Sequence, residues 1–317
     1  MVMRRFWRIV ALRAKWNIVV MTDLRSAHWW WRVGSSLRSM VFVVAGATYL
    51  PQPVEAASKH AALVIDANTG AVISQSSADE PRYPASLTKM MTLYVVFDLI
   101  EQGRLNYGTR IRFSEAATSV QPTKLGVEPG TEIALIDAIK GLIVKSANDA
   151  AVAVAEHIAG TEKKFAALMT QKARQLGMLN TTFKNAHGLP DSEQVTTARD
   201  MLTLGLRLQD DFPEHYRLFS TKEFRFGGET YRTHNTMLMS YEGTDGIKTG
   251  YTSASGFNLV TNAKRGQKHV LGVVLGGASA SSRNQTMRTL LNIALLKGSS
   301  VRTRAATKAN RGRPVPE

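Results

Sequence analysis

The sequence contains no cysteine among its 317 residues. This absence excludes disulfide bonds, thiolate metal sites and cysteine nucleophiles, and it is compatible with an oxidising compartment. The chain also lacks internal repeats and any uninterrupted apolar run of the ~20 residues that a membrane-spanning helix needs. With 44% apolar and 21% charged residues, it has the composition of a globular protein with one sizeable core, or at most two small ones.

Acidic residues are nearly absent from the first 39 residues, which carry eight Arg or Lys and one Asp. An uncharged run over residues 40–50 follows, and two prolines then end any helix. The residues that end at Ala56 include small and apolar side chains of the kind that a signal peptidase accepts. We therefore predict a signal peptide over residues 1–56 that is cleaved after Ala56. The expected location is the periplasm or cell envelope, with membrane association if the leader stays uncleaved. Met21 or Met40 could be the true start.

The formal net charge of +15 at pH 7 comes mainly from the two ends of the chain. Residues 1–56 carry eight basic and two acidic residues, and residues 297–317 carry six basic and one acidic. The middle is close to neutral, so no nucleic-acid partner is expected. The C-terminal segment is rich in small and polar residues without apolar periodicity, which predicts a basic disordered tail over residues 298–317. This tail is either solvated or in weak contact with anionic lipid or the cell wall.

Strand patterns lie at the two ends of the remaining segment, and helical patterns lie between them. Residues 61–74 and 256–275 each contain two apolar runs around a polar turn, which predicts a β-hairpin at each end. Helical apolar spacing occurs over residues 87–100, 133–144, 149–158 and 165–176, and a closing helix is expected over residues 282–297. Because this order is not a β-α-β alternation, we predict a mixed α/β fold of the α+β type. Both chain ends complete one antiparallel sheet around a helical insert.

Ser86 and Lys89 lie three residues apart at the start of a predicted helix that follows Pro84. This spacing places the hydroxyl and the amine on one helical face. A lysine whose pKa is lowered by burial or by another cation can remove the serine proton, and the helix dipole favours the negative charge that develops. By itself, however, the pattern is equally typical of a capping serine followed by a surface lysine.

A second polar motif, Ser146-Ala147-Asn148, lies between two predicted helices. Such a serine can relay protons, and the asparagine amide can hydrogen-bond to a peptide. The pattern is weak alone, because Ser282-Arg283-Asn284 also fits it and because turns use these residues routinely.

The third motif is Lys248-Thr249-Gly250, just before the predicted C-terminal hairpin. Its position indicates an edge strand in which Gly250 lets another backbone approach closely. Lys248 and Thr249 offer a cation and a hydroxyl to a carboxylate, and Lys248 near Lys89 would help to keep Lys89 neutral. An ordinary turn at a hairpin is the alternative interpretation.

The three motifs in this order are the set typical of penicillin-binding proteins and β-lactamases. Over residues 57–297 the chain resembles the low-molecular-mass penicillin-binding proteins of the serine-type D-alanyl-D-alanine carboxypeptidase family. The wider matching strings are residues 83–92, 185–190 and 245–252. The resemblance implies a DD-peptidase/β-lactamase-like fold, with an antiparallel sheet flanked by helices and a helical subdomain.

The resemblance also implies a role for each motif residue. Ser86 would attack the carbonyl between the two terminal D-alanines of a peptidoglycan stem peptide, and Lys89 would take its proton. Ser146 would pass the proton to the departing amine, and Asn148 would hold the peptide backbone. The resemblance also implies an oxyanion hole from the N–H groups of Ser86 and Tyr251. Lys248 and Thr249 would bind the terminal carboxylate with Arg283 nearby, and Gly250 is a further substrate-binding residue. β-Lactams would be covalent inhibitors, and neither a metal nor a cofactor is required.

Several alternatives remain open at the level of sequence. A DD-endopeptidase would use the same residues, and a non-catalytic penicillin-binding protein would keep the fold. A β-lactamase of class A needs a glutamate in E-x-x-L-N, where this chain has Leu176. A Ser-His-Asp arrangement of His187 with Asp200 or Asp191 is compatible with the sequence, but no G-x-S-x-G elbow occurs.

Overall fold

A computed structural model describes residues 59–305, so the predicted leader and its cleavage site after Ala56 lie outside the described residues. The strands in this part are β1 (Ala61–Asp66), β2 (Val72–Ser76), β3 (Arg110–Arg112), β4 (Glu132–Ala134), β5 (Glu223–Phe226), β6 (Glu229–Arg232), β7 (Thr244–Thr252), β8 (Gly256–Arg265) and β9 (Lys268–Gly277). The α-helices are α1 (Lys89–Glu101), α2 (Glu115–Ser119), α3 (Leu135–Lys140), α4 (Asn148–Ala159), α5 (Glu162–Gln175), α6 (Ala198–Asp211), α7 (Pro213–Tyr216), α8 (Met237–Ser240) and α9 (Ala280–Lys297). None of these helices is long and apolar enough to cross a bilayer.

The central sheet has five antiparallel strands in the order β2-β1-β9-β8-β7. The N-terminal strand β1 pairs with the C-terminal strand β9, with Leu63 opposite Val273. Both predicted hairpins are therefore present, and the prediction that the two chain ends complete one antiparallel sheet is confirmed. The strand β7, which carries Lys248-Thr249-Gly250, forms one edge of the sheet as predicted.

Both faces of the sheet are covered, because side chains along each inner strand alternate between two apolar cores. Leu63 and Ile65 of β1 belong to a large cluster that includes α1, α4 and α6. Val64 of β1 belongs to a smaller cluster that contains Met287 and Leu291 of α9. A capping box at Ser279 fixes the start of α9 over this second face.

The predicted helices over residues 87–100, 149–158 and 165–176 correspond to α1, α4 and α5, whereas α6 was not predicted and the remaining predicted helix has a different geometry. The predicted helix over residues 133–144 is instead β4, the short helix α3 and a π-helical turn over Gly141–Lys145. A Cβ atom at Gly141 would lie 2.8 Å from Cδ1 of Leu125, so the glycine allows that leucine to pack against the turn. The π turn ends at Ser146, whose backbone is left-handed with φ 60°. Sequence periodicity missed this change because the three-residue strand and the five-residue π turn are each too short to show a period of their own.

The first residues of the predicted disordered tail are ordered, so that prediction is wrong for residues 298–305. The Ser299 N–H donates to the Asp66 carboxylate at 2.9 Å, and the Thr303 N–H donates to the Asn68 carbonyl at 3.0 Å. Arg304 and Arg302 both form salt bridges with the buried Asp210 of α6. Pairing with a buried carboxylate holds this basic segment in place. Residues 306–317 lie outside the described part of the chain.

Arg304→Ala should lower the free energy of unfolding by about 1–3 kcal/mol, because it removes charge-assisted hydrogen bonds from a buried carboxylate. Burial raises the pKa of Asp210, but bonds and charges from Arg304 and Arg302 outweigh it and leave the pKa below its usual value. That stabilisation is present above the unfolded pKa of about 4 and is lost as the pH falls through the folded pKa. Urea unfolding at several pH values should therefore show a difference from the parent protein that shrinks below about pH 4.

Arg302→Ala is the matched control. The Arg302 side chain is 48% exposed, against 16% for Arg304. Its removal should therefore lower the free energy of unfolding by only about 0–1 kcal/mol. Equal losses from the two variants would contradict the ordered packing of Arg304.

Candidate active site

A cleft of about 410 Å³ lies beside the open edge of β7. Seven of the nine predicted site residues line it: Ser86, Ser146, Asn148, Thr249, Gly250, Tyr251 and Arg283. The other two, Lys89 and Lys248, are buried behind its walls, with exposures of 0% and 2%. The tertiary structure therefore brings all three motifs to one place.

Ser86 lies on a 3₁₀ turn, Ala85–Thr88, that leads directly into α1. The preceding residue, Ala85, has φ 49°, a left-handed conformation that costs a residue with a side chain roughly 1–2 kcal/mol. Asn258 of β8 holds this segment, because its amide nitrogen donates to the carbonyls of Tyr83 and Pro84 at 3.0 and 3.1 Å. The sheet thus fixes the backbone that presents the Ser86 hydroxyl to the cleft.

The amine of Lys89 lies 3.2 Å from the Ser86 hydroxyl and is fully buried. It also donates to Oδ1 of Asn148 at 2.7 Å and to the His187 carbonyl at 2.5 Å. A neutral amine has two N–H bonds and one lone pair. The two acceptors occupy both hydrogens, which directs the lone pair towards Ser86.

Burial, followed by the positive charge of Lys248, lowers the pKa of Lys89 well below its usual value. The carboxylates of Asp149 and Glu162 act in the opposite direction. The net effect favours the neutral amine, which is the form that can accept a proton from Ser86. Lys89 therefore meets the two requirements of a general base, reach and a suitable pKa.

Ser146 and Asn148 approach Ser86 and Lys89 from the helical insert. The Ser146 side chain is buried at 5% exposure, and its hydroxyl has no hydrogen-bond partner within residues 59–305, so it can serve a bound molecule. The Asn148 amide is already engaged, since its nitrogen donates to the Gln121 carbonyl at 2.8 Å while its oxygen accepts from Lys89. In this structure Asn148 positions Lys89, and its predicted contact with a peptide backbone stays a prediction.

The strand β7 passes very close to the turn that carries Ser86. A Cβ atom at Gly250 would lie 3.0 Å from the Ser86 nitrogen and 3.1 Å from the Pro84 carbonyl oxygen, so a side chain there would push the two apart. The next residue, Tyr251, is 55% exposed and stacks on Phe257, with ring centroids 4.2 Å apart. Gly250 thus permits the close backbone approach that the motif predicts.

Positive charge is concentrated at one end of the cleft. The Lys248 amine donates to the Thr249 carbonyl at 2.9 Å, and burial together with the charge of Arg283 lowers the pKa of Lys248 to about 7. The Arg283 guanidinium donates to the Asn258 carbonyl at 3.0 Å and lines the cleft. This end of the cleft suits an anionic group, with the Thr249 hydroxyl beside it.

His187 has a structural role and does not form a triad with Asp200 or Asp191. Its Nε2 lies 3.2 Å from the Glu162 carboxylate, and its Nδ1 accepts from the Leu189 N–H at 3.0 Å. Burial lowers the pKa of His187 to about 3, so the ring is neutral. The ring orients the loop whose carbonyl accepts from Lys89.

Three residues near the site were missed by the sequence analysis. Asn258 could have been suspected, because it is a polar residue inside a predicted buried strand. Glu162 holds the His187 loop by accepting from the Ala186 N–H at 2.9 Å, and His234 lines the cleft. Neither Glu162 nor His234 belongs to a motif with a spacing that sequence alone could interpret.

Gly188→Ala should destabilise the protein more than the same substitution at another glycine with a positive φ. A Cβ atom at Gly188 would lie 2.0 Å from the Ala85 carbonyl oxygen, and its φ is +95°. The variant must therefore displace backbone beside Ser86, at a cost of about 1–3 kcal/mol beyond the conformational strain. Urea unfolding measures this difference.

Gly177→Ala is the control, because Gly177 has φ +84° but no atom within 4 Å of its Cβ position. The free energy of unfolding of this variant should fall only by the ~1–2 kcal/mol that a left-handed backbone conformation costs an alanine. Equal losses at the two positions would refute the tight contact between residue 188 and the Ser86 turn.

Comparison with known proteins finds relatives that are named D-alanyl-D-alanine carboxypeptidase or endopeptidase. A family model described as D-alanyl-D-alanine carboxypeptidase matches residues 47–279. The D-alanyl-D-alanine carboxypeptidase DacC of Escherichia coli (strain K12) is 37% identical over 249 residues, which cover 76% of this chain and 62% of that relative. A D-alanyl-D-alanine endopeptidase of the same strain is 33% identical over 239 residues, which cover 73% of this chain and 74% of that relative. The chain spans about 60% of the length of several curated carboxypeptidases that it matches, DacC among them.

Solved structures have the same architecture. The D-alanyl-D-alanine carboxypeptidase DacD from Francisella tularensis superposes with a TM-score of 0.72 at 32% identity, covering 78% of this chain and 72% of that chain. A penicillin-binding protein from Listeria monocytogenes, solved in its ampicillin-bound form, has a TM-score of 0.68 at 27% identity, covering 75% of this chain and 98% of that chain. The resemblance inferred from the three motifs is confirmed: the chain belongs to the D-alanyl-D-alanine carboxypeptidase family.

Proposed function

We propose that this protein is a serine-type D-alanyl-D-alanine carboxypeptidase, which removes the terminal D-alanine of peptidoglycan stem peptides through an acyl-Ser86 intermediate. The observation that carries the proposal is the contact between the Ser86 hydroxyl and a fully buried Lys89 amine at 3.2 Å. A serine needs a neighbouring base to become a nucleophile, and the lowered pKa of Lys89 provides one.

In the first half of the reaction, Ser86 Oγ attacks the carbonyl between the two D-alanines while Lys89 accepts the hydroxyl proton. The N–H groups of Ser86 and Tyr251 hold the oxyanion, at typically ~3 kcal/mol per donor. The C–N bond then breaks, and the proton passes from Lys89 by way of Ser146 to the departing amine. The unpartnered Ser146 hydroxyl supports this relay.

The terminal carboxylate of the substrate binds at the cationic end of the cleft. Thr249 and Arg283 line that end, and Lys248 adds positive charge from behind the wall. Gly250 keeps the strand close enough to the Ser86 turn for a peptide to contact both. In the second half of the reaction, water attacks the acyl-serine, Lys89 again serves as the base, and the shortened peptide is released.

Penicillin should form a long-lived adduct on Ser86. No carboxylate lines the cleft among residues 59–305, and Leu176, at the position of the class A glutamate, lies at the end of α5 outside the cleft. The ampicillin-bound Listeria relative has the same fold. A DD-endopeptidase activity is the second candidate, since a relative with that name aligns over 73% of this chain.

We also propose that the catalytic domain covers residues 57–297 and that the activity is extracytoplasmic, in the periplasm or cell envelope. The basic residues and apolar run before residue 56 support export, and the substrate lies outside the cytoplasm. Weak wall or membrane contact through residues 306–317 remains a prediction from their charge.

Incubation with a stem pentapeptide should release one D-alanine, and benzylpenicillin should add its mass to the parent protein but not to Ser86→Ala. Within residues 59–305 the only hydrogen bond of the Ser86 hydroxyl is the one with Lys89, so the variant should fold with an unchanged melting temperature. Mass spectrometry of peptide and protein measures both results. Rapid nitrocefin turnover, or cleavage of cross-linked dimers in preference to the pentapeptide, would contradict the carboxypeptidase proposal.

Glu162→Gln should shift the pH dependence of the acylation rate, so that the rise of the rate on the acidic side occurs at lower pH. Acylation requires neutral Lys89, so the rate rises as the pH passes through the pKa of this residue. The Glu162 carboxylate raises that pKa, and removing its charge lowers the pKa further. Glutamine keeps the oxygen that accepts from Ala186, so the loop is preserved.

Stopped-flow acylation by a β-lactam between pH 5 and 9 measures this profile. Glu128→Gln, an exposed acid that does not act on Lys89, is the control and should leave the limb in place. A shift to higher pH in Glu162→Gln would refute Lys89 as the base whose titration is observed.

A further inference from the structure

The side chain of Asn258 is completely buried, with an exposure of 0%, between the central sheet and the turn before Ser86. It does not line the cleft, although its neighbour Phe257 does. A buried amide needs partners for both of its N–H bonds and for its oxygen, because an unpaired polar group in the interior is costly. The identity of these partners shows which segments the residue holds together.

The hydrogen bonds of the Asn258 amide fix its orientation. Its oxygen accepts from the Gly276 N–H of β9 at 2.9 Å, and its nitrogen donates to the Tyr83 and Pro84 carbonyls at 3.0 and 3.1 Å. The first partner can only donate and the other two can only accept, so a flipped amide would lose all three bonds. A β-bulge lies at this point, where Leu275 and Gly276 of β9 together face Asn258.

Asn258 also connects the two segments that form the proposed oxyanion hole. Its backbone pairs with Gly250 of β7, the residue before Tyr251, and its amide holds the carbonyl of Pro84, two residues before Ser86. In the proposed function, one oxyanion donor is the Tyr251 N–H and the other is the Ser86 N–H. The distance between the two donors therefore depends on this connection, and this step rests on the proposed function.

We propose that Asn258 is a positioning residue that sets the spacing of the two oxyanion-binding N–H groups. The turn before Ser86 contains Ala85 in a left-handed conformation, which persists only where surrounding contacts hold it. Without the amide of Asn258, the Tyr83 and Pro84 carbonyls lose these donors, and the turn can relax away from β7. A displaced N–H group then loses part of its bond to the oxyanion. Asn258 itself contacts neither the substrate nor the reacting atoms.

The cationic end of the cleft should not depend on the Asn258 side chain. Arg283 donates to the backbone carbonyl of Asn258 at 3.0 Å, and a substitution of the side chain keeps that carbonyl. Loss of the amide should therefore slow acylation while the affinity for the carboxylate of a ligand is retained. Such a split is the signature of an interaction that acts only in the transition state.

Stopped-flow acylation by a β-lactam separates the two quantities, since it gives the dissociation constant of the noncovalent complex and the rate constant of acylation. In Asn258→Ala the rate constant should fall about 10–100-fold, as for a misplaced oxyanion donor, and the dissociation constant should stay within about twofold. The kcat/KM for release of D-alanine from a stem pentapeptide should fall by the same factor.

Asn262→Ala is the matched control. Asn262 lies four residues further along β8, is also 0% exposed, and donates from its amide nitrogen to the Asp245 carboxylate at 2.7 Å. It does not line the cleft. This variant should lower the melting temperature as Asn258→Ala does, because each loses a buried amide, but it should keep the acylation rate constant of the parent protein.

If Asn258→Ala does not fold, Asn258→Ser takes its place. A hydroxyl has one hydrogen, so at least one of the two carbonyls loses its donor, and the rate constant should fall in the same direction. A rate constant within about twofold of the parent value, or an equal fall in Asn262→Ala, would overturn the role of Asn258 and leave the proposed function intact. A folded parent protein that neither reacts with the β-lactam nor releases D-alanine would overturn both.

Discussion

The active site depends on the burial of one amine. Taking a charged ammonium out of water costs several kcal/mol, and Lys89 avoids this cost by favouring its neutral form. Neutrality alone would leave a mobile side chain, but the acceptors on Asn148 and His187 fix its two hydrogens and direct its lone pair to Ser86. These acceptors belong to the helical insert and to the loop before α6, so much of the fold serves to enclose a single nitrogen atom.

A second constraint is the small space around the Ser86 turn. Backbone from the 188 loop approaches the turn so closely that only glycine fits at position 188, and a side chain at position 250 would require the strand or the turn to shift. Asn258 holds the same turn from within the sheet. The strained backbone of Ala85 is therefore held by three separate elements, which is the condition under which strain persists at a functional site. The turn that carries Ser86 is therefore closely packed on several sides.

The sheet order explains how residues far apart in sequence meet. Because β1 pairs with β9, the chain returns to its starting strand only after the helical insert is complete. Hairpins then place β8 and β7 beside β9, with the open edge of β7 facing the start of α1. One wall of the cleft is thus a strand that can still pair with a peptide, and the other walls are helix ends and loops that carry the reacting groups.

The sequence by itself predicted most of the elements and the residues of the candidate site. Apolar periodicity located both hairpins and the helices α1, α4, α5 and α9, but not α6, and the order of three motifs singled out Ser86, Lys89 and their partners, because these signals are local. Only the tertiary structure decided that Asn148 holds Lys89 and that His187 contributes its carbonyl. It also decided that Asn258 holds the turn before Ser86 and that Arg304 is ordered against Asp210. Burial, pKa and cavity shape depend on contacts between segments far apart in sequence, such as Asn258 and Tyr83 at a separation of 175 residues, and no local pattern encodes those contacts.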